Sequence, residues 1–295
     1  SAKHWQNQDA DRYNFKGLKL LAVDGTTLKL ADSTDNRDHF GSPSFANDAV
    51  ASYPHARLVT LCVLETQLML AARFGTYRQA EIGYAFDLLE EIPDNSLTVF
   101  DRAFLSAELL SKLTTSGTER HFLVPAKSNT RWTIVEGNEQ DAIVEMKVSA
   151  AARKKDPQLP SHWRVRAVQV EGPHGKPVYL LTSLFDRRRF TAAQLQHCYS
   201  RRWQIETSYR EIKQTMMGMA LSLRSLSVEA TRQEIWGMLI AYNLVRLEMA
   251  RTAEQAKCSP DSISFVFALA AFQFEMTYAA AMHAQGNLPG VLKRM

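Results

Sequence analysis

Between residues 19 and 125 the apolar pattern changes period in a fixed order, and that order most constrains what the chain can fold into. Residues 19–23 form a short apolar run ending at Asp24-Gly25, and residues 27–30 continue in extended character. Residues 57–64 and 67–72 come next, with only Glu65 and Thr66 between them. That spacing predicts an antiparallel hairpin, although its turn lacks the favoured Asn-Gly or Asp-Gly. From Arg78 to Glu91, Ile82, Ala85, Phe86 and Leu89 share a helical face, and Pro93-Asp94-Asn95 ends it. Residues 96–101 then read as a strand, 106–113 as a helix and 121–125 as a strand. Three strands, helix, strand, helix, strand predict an α/β domain with a mixed sheet flanked by helices.

The helical period disappears between Lys127 and Leu184. Residues 142–148, 162–170 and 177–183 alternate apolar with polar, and Gly172-Pro173-His174-Gly175 supplies a turn. A β-rich insertion is expected here, and at roughly fifty-five residues it should lean on the main domain. The remainder is helical. Thr191 with Gln194 three residues on resembles a capping box, opening a helix to about residue 217. Helices over about 229–256 and 262–283 complete the chain. The first of these is apolar nearly all round over 235–245 and should be buried. The expected organisation is residues 1–126 as the first part of a core, 127–184 as the insertion and 185–295 as the helical remainder.

Composition removes several classes of function. With 45% hydrophobic and 22% charged residues among 295, the chain is too apolar for disorder and long enough for a full core. The longest nearly unbroken apolar run, residues 265–274, is about half of what a bilayer-crossing helix needs. No membrane partner is therefore expected, and the first residues carry no apolar signal-peptide region. Cys62, Cys198 and Cys258 are widely spaced and odd in number, which points to a reducing cytoplasm rather than a disulfide framework. The eight histidines do not pair at i, i+4, so a metal would be held by carboxylates. Lys plus Arg number 35 against 31 Asp plus Glu, a balance of +4 that permits a polyanionic partner.

Two acidic residues, Asp24 and Asp101, each end a buried-looking strand. Either suits a turn or cap, but two such residues on neighbouring strands also suit a ligand site at strand ends. On the helix after Thr191, Tyr199, Arg202, Glu206 and Lys213 lie at offsets of three, seven and fourteen. At about 100° per residue they fall within an arc of roughly 60°, with Arg210 in the same sector. Ile205, Tyr209, Ile212 and Met216 form an apolar stripe beside them. A solvated polar face, with Arg202 and Glu206 as an intrahelical ion pair, fits this spacing as well as a cleft does. From Asp186 to Lys213 seven basic and three acidic residues leave a local surplus of four positive charges. Arg187-Arg188-Arg189 and Arg153-Lys154-Lys155 suit either a solvated loop or a DNA backbone. Trp132, Trp163 and Tyr179 suit core packing or stacking on an unpaired base.

The spacing Tyr199-x2-Arg202-x3-Glu206-x6-Lys213 resembles the Y-R-E-K signature of bacterial transposases of the insertion-sequence-four family. The context Tyr199-Ser200-Arg201-Arg202-Trp203-Gln204-Ile205-Glu206 is also similar. Ala22-Val23-Asp24-Gly25-Thr26-Thr27 resembles that family's first acidic motif and Val99-Phe100-Asp101-Arg102-Ala103-Phe104 its second. Leu180-Leu181-Thr182-Ser183 resembles the strand ahead of the signature helix. The resemblance spans about residues 18–247. It implies a ribonuclease-H-like core with a β-rich insertion between the second Asp and the Glu, and Asp24, Asp101 and Glu206 as catalytic triad and metal ligands. Mg²⁺ or Mn²⁺, as two ions, would serve phosphodiester cleavage and 3′-OH strand transfer. Tyr199, Arg202 and Lys213, with Arg210 beside them, would face double-stranded DNA, on which a homodimer is expected.

Some features depart from the family. Ala103 stands where the second motif usually has Gly, and Val178-Tyr179 where some members carry a Trp used in base flipping. Members normally begin with a helical end-binding domain and often end in a basic tail. This chain opens within a dozen residues of the core and stops at Lys293-Arg294-Met295, implying a trimmed core or a degenerate element. A nuclease with the same metal site, or a non-catalytic DNA-binding derivative, are the alternatives.

Overall fold

The structure, a computed structural model, describes residues 14–43, 51–172, 175–218, 220 and 222–282. Among these residues the centre is a ten-stranded sheet. Its strands are β1 (Asn14–Phe15), β2 (Leu18–Lys29), β3 (His55–Val63), β4 (Met69–Thr76), β5 (Ser96–Phe100), β6 (Arg120–Pro125), β7 (Thr133–Gly137), β8 (Asp141–Lys147), β9 (His162–Glu171) and β10 (Pro177–Thr182). They lie in the order β4-β3-β2-β5-β6-β10-β9-β8-β7, with β1 paired to β2. Only the β2–β5 and β5–β6 pairs are parallel.

The helices are α1 (Thr34–Phe40), α2 (Glu81–Phe86), α3 (Ala107–Thr115), α4 (Ala150–Lys155), α5 (Ala192–Ser200), α6 (Trp203–Arg210), α7 (Val228–Ala256) and α8 (Phe265–Met282). Alternation along β2 divides the core. Leu20, Ala22 and Leu28 pack with Ile205, Ile212, Ile235 and Tyr242 on one face of the sheet. Leu21 and Val23 pack with Leu109, Leu113 and Phe122 on the other. Among the described residues no helix is long and apolar enough to cross a membrane.

The sequence order of strands and helices over 19–125 is present, with differences at three places. Asp24 does not end its strand. β2 continues to Lys29 because β3 keeps pairing with it, from Asp24↔Thr60 to Lys29↔His55. The parallel partner β5 stops at Val23↔Phe100, so Asp24 is terminal only with respect to that neighbour. The hairpin turn is longer than two residues, spanning 64–68, with Gln67 in the left-handed region at φ 57°. The helix expected over 78–91 is α2 and then a separate 3-10 turn, Leu89–Glu91.

The helix expected over 191–217 is broken into α5, α6 and a π-helical segment, Glu211–Met216. Four elements, β1, α1, β7 and α4, carry too little apolar periodicity to be predicted. All five residues of β7 are exposed.

Strands β8, β9 and β10 form where the alternation placed strands, and β10 joins β6 antiparallel through Leu180↔Pro125 and Thr182↔Leu123. The stretch 127–184 thus extends the main sheet. Arg166 of β9 anchors it. Its guanidinium, fully buried, donates to both carboxylate oxygens of Asp141 at 2.8 and 2.7 Å and to the carbonyls of Leu184 and Phe190. Pro173, His174 and the C-terminal end of the last expected helix, residue 283, lie outside the described residues.

Helix α7 is not buried all round. Ile235, Leu239, Tyr242 and Met249 face the core, whereas Trp236, Ile240 and Leu244 form an exposed stripe at i, i+4, i+8. An apolar surround in sequence does not fix how many faces the neighbours cover.

Candidate active site

Asp24 projects from the middle of β2, beside the point where β5 ends and Asp101 begins a 3-10 turn, Arg102–Phe104. Its Oδ1 accepts from the Gly25 N–H at 2.8 Å. A larger residue at position 25 would have to push the Glu81 side chain aside. A Cβ there would come within 2.5 to 2.8 Å of the Glu81 side chain, which packs over the strand and pairs with Arg57 at 2.7 Å. Burial pushes the Asp24 carboxyl up to about 6. The Gly25 N–H and Arg202 pull it down, and the charges of Glu206 and Asp101 push it further up.

The other half of the site comes from the segment after Thr191. The Thr191–Gln194 capping box is present, and Thr191 N–H donates to Gln194 Oε1 at 3.1 Å. The helix then breaks at Arg201-Arg202. Arg201 leaves the axis to pair with Glu65 and, at 3.3 Å, with Asp261. Arg202 turns into the cleft, its Nη1 3.1 Å from Asp24 Oδ2 and its Nη2 2.7 Å from Glu206 Oε1. One turn further on, the buried Tyr209 hydroxyl donates to the Asp24 carbonyl at 2.6 Å and lies 2.8 Å from Thr60 Oγ1. The π-helical segment re-aims Lys213, whose Nζ donates to Thr26 Oγ1. Burial lowers the Lys213 ammonium below the ordinary lysine value. Behind that segment, buried Arg246 of α7 pairs with Glu211 and reaches Gln67 Oε1 at 2.5 Å and the Tyr242 hydroxyl at 2.9 Å.

The break and the π turn invalidate the single 60° arc, which assumes one continuous α-helix. Even so, Asp24, Asp101, Arg202, Glu206, Arg210 and Lys213 all line one cleft of about 530 Å³, with Gly25, Thr26, Tyr209 and Gln214. Tyr199 is not among the lining residues. Its ring centroid lies 5.9 Å from the Arg202 guanidinium, and burial raises its phenol above the ordinary value. Tyr209 carries no polar signal in the sequence, where it reads as part of an apolar stripe. Thr26 lies within the first acidic motif, the one cue to its place.

As the side chains stand, no group of three or more His, Cys, Asp or Glu among the described residues is gathered closely enough to hold a metal ion. Arg202 bridges two of the carboxylates, Asp24 and Glu206. The donor set still fits a hard divalent cation, being all carboxylate, and the place between Asp24 and Glu206 already selects positive charge.

Beside this cleft a second one, of about 490 Å³, is lined by Arg102, Lys127, Arg131, Trp132 and Tyr179. Trp132 and Tyr179 pack edge to face at 5.1 Å. Trp163 instead lies against Phe122 at 6.0 Å. The Arg187-Arg188-Arg189 cluster is partly engaged: Arg187 lies 3.5 Å from Glu136 and 3.6 Å from Asp141, and Asp186 accepts from the Arg188 and Arg189 N–H groups. Arg153, Lys154 and Lys155 form the last turn of α4.

A mixed sheet with two parallel pairs at its centre and helices on both faces is a ribonuclease-H-like core. Residues 16–244 match the family described as Transposase DDE domain. The chain is 36% identical over 292 residues to the transposase InsG for insertion sequence element IS4 of Escherichia coli (strain K12), covering 98% of this chain and 64% of that one. It is 37% identical over 134 residues to the putative transposase InsZ of the same organism, covering 44% of this chain and 45% of that one. Among solved structures, a piggyBac transposase synaptic complex with hairpin DNA shares the fold, at TM-score 0.55 and 12% identity, over 93% of this chain and 56% of that one. The chain belongs to the DDE transposase family. It spans less than two thirds of the length of either curated relative.

Proposed function

We propose that this chain is the catalytic core of a DNA transposase, cutting at element ends by hydrolysis and joining the freed 3′-OH to target DNA. The observation that carries this reading is the cleft in which Asp24, Asp101 and Glu206 meet Arg202, Arg210 and Lys213. Asp24, Asp101 and Glu206 would hold Mg²⁺ or Mn²⁺, as two ions. When bound, these activate water or a 3′-OH and stabilise the leaving oxygen. The rest of the work falls to the chain's own side chains. Arg210 and Lys213, among the residues lining the cleft, suit the phosphates flanking the scissile bond, whereas Tyr199, outside that lining and beside Arg202, would reach a phosphate farther along the DNA. Arg102, Lys127 and Arg131 carry the positive lining into the neighbouring cleft. Joining two ends calls for two active sites, hence a homodimer on DNA. The site of action would be the bacterial cytoplasm, at the nucleoid. Cys62 and Cys198 are buried free thiols, which suits a reducing compartment.

The test is Glu206→Gln, expected to abolish divalent-dependent strand cleavage. Undiminished cleavage would overturn the triad. A hydrolytic nuclease with the same site is separated by offering precleaved ends: a transposase gives joined product and a nuclease none. A non-catalytic DNA-binding derivative would bind DNA and cleave nothing.

A further inference from the structure

Among the described residues three buried arginines are held in different ways. Arg166 satisfies its guanidinium with two carboxylate oxygens and two carbonyls. Arg246 is enclosed by Glu211, Gln67 and Tyr242. Arg202 is different. Its side chain is only 9% exposed, yet its Nε is buried with no hydrogen-bond partner. It is held by single contacts to two separate carboxylates, Asp24 at 3.1 Å and Glu206 at 2.7 Å, and by the rings of Trp203 and Tyr199 at 5.3 and 5.9 Å. Its position is set by charge rather than by a full set of partners.

We propose that Arg202 is the internal counter-cation of the acidic site, bridging Asp24 and Glu206 until a divalent ion displaces it. The freed guanidinium then becomes available to a DNA phosphate. This rests on the reading of Asp24 and Glu206 as metal ligands. Two carboxylates facing one cleft repel each other, and a single positive charge between them lets the site fold assembled. A small divalent ion carries twice that charge and binds carboxylate oxygen at about 2.1 Å. Arg202 holds one oxygen of each carboxylate, so an ion bridging Asp24 and Glu206 competes with the guanidinium for those oxygens. Entry of the ion and departure of Arg202 are therefore one exchange. A phosphate that captures Arg202 must favour metal, and metal must favour that phosphate by the same factor.

The exchange is read directly by titrating Mn²⁺ into DNA-free protein in a calorimeter. Arg202→Gln should bind Mn²⁺ about tenfold more tightly than the parent, since the ion no longer has to displace a charge-assisted hydrogen bond. Duplex DNA should tighten Mn²⁺ binding in the parent and lose that effect in the variant. Arg202→Lys, which keeps the charge but reaches only one carboxylate, should fall between and guards against a variant that misfolds. Mn²⁺ binding that disappears in Asp24→Asn yet is no tighter in either Arg202 variant overturns the displacement and leaves the triad standing. Mn²⁺ binding that survives in Asp24→Asn and in Glu206→Gln overturns the triad and the displacement with it.

Discussion

The Tyr209 hydroxyl stands 2.6 Å from the carbonyl oxygen of Asp24, tying the helix that carries Glu206 to the strand that carries Asp24. Thr60 of β3 completes the link at 2.8 Å. Tyr209 lies one turn beyond Glu206, so this hydrogen bond ties the helix backbone beneath Glu206 to the strand backbone at Asp24. Tyr209→Phe keeps the ring and leaves a buried carbonyl without its donor, costing about 1–3 kcal/mol. Thermal unfolding should move down accordingly. Divalent-dependent cleavage at 25 °C, where the variant is still folded, should fall as well, with its metal requirement raised. A lower melting temperature with unchanged cleavage and metal requirement would show that the link serves stability alone.

Asp24 makes the metal-free protein sensitive to mild acid in an unusual direction. Its folded-state carboxyl sits at about 6, above the ordinary 3.8. Between those values the folded protein holds a proton that the unfolded chain has lost. Stability from this group is therefore full below about pH 4 and declines as pH rises toward 6, by on the order of 2 kcal/mol. Urea unfolding in chelator, at pH 4.5 and 7, tests this against Asp24→Asn. The variant should gain on the parent at pH 7 relative to pH 4.5, and a constant difference between them would refute the shift.

Arg246 and Glu211 support the π-helical segment from behind. Removing one partner leaves a charge buried and unpaired, so Arg246→Met should destabilise by about 3–5 kcal/mol. Pairing it with Glu211→Leu removes that stranded charge and should recover most of the loss. Urea midpoints of the two single variants and the double variant measure the coupling. Additive losses would mean that the pair does not act as a unit.

What the sequence disclosed and what it hid divide along physical lines. Strand order was legible because buried strands are apolar runs bounded by turn residues, as at 96–101 and 121–125. That Asp24, Asp101 and Glu206 line one cleft was implied by the family resemblance of their motifs, and no periodicity pointed to it. The helix break was hidden, since Ser200, Arg201 and Arg202 include no Gly or Pro. Its causes are tertiary: Arg201 reaches Glu65 and Asp261, and Arg202 reaches Asp24. The same holds for the π turn, backed by Arg246 some thirty-five residues on. The extended character of residues 27–30 was legible, but that they continue one strand through Asp24 depends on pairing with β3.

Lys213 offers the sharpest separation of DNA binding from metal chemistry. It stands on the π turn, bonded to Thr26 rather than to a carboxylate, at the edge of the cleft. Without DNA its neighbours ask little of it. Burial already lowers its ammonium's pKa, so a phosphate at the rim would meet a charge only weakly engaged within the protein. Lys213→Ala should leave Mn²⁺ affinity near the parent's while weakening duplex binding. The slope of log K against log salt should shrink by about one, the signature of one fewer neutralised phosphate. Strand joining from precleaved ends should fall with it. Fluorescence anisotropy across a salt series, run beside a Mn²⁺ titration of the same preparation, measures both quantities. An unchanged salt slope together with weakened Mn²⁺ binding would move Lys213 from the DNA to the support of the carboxylates.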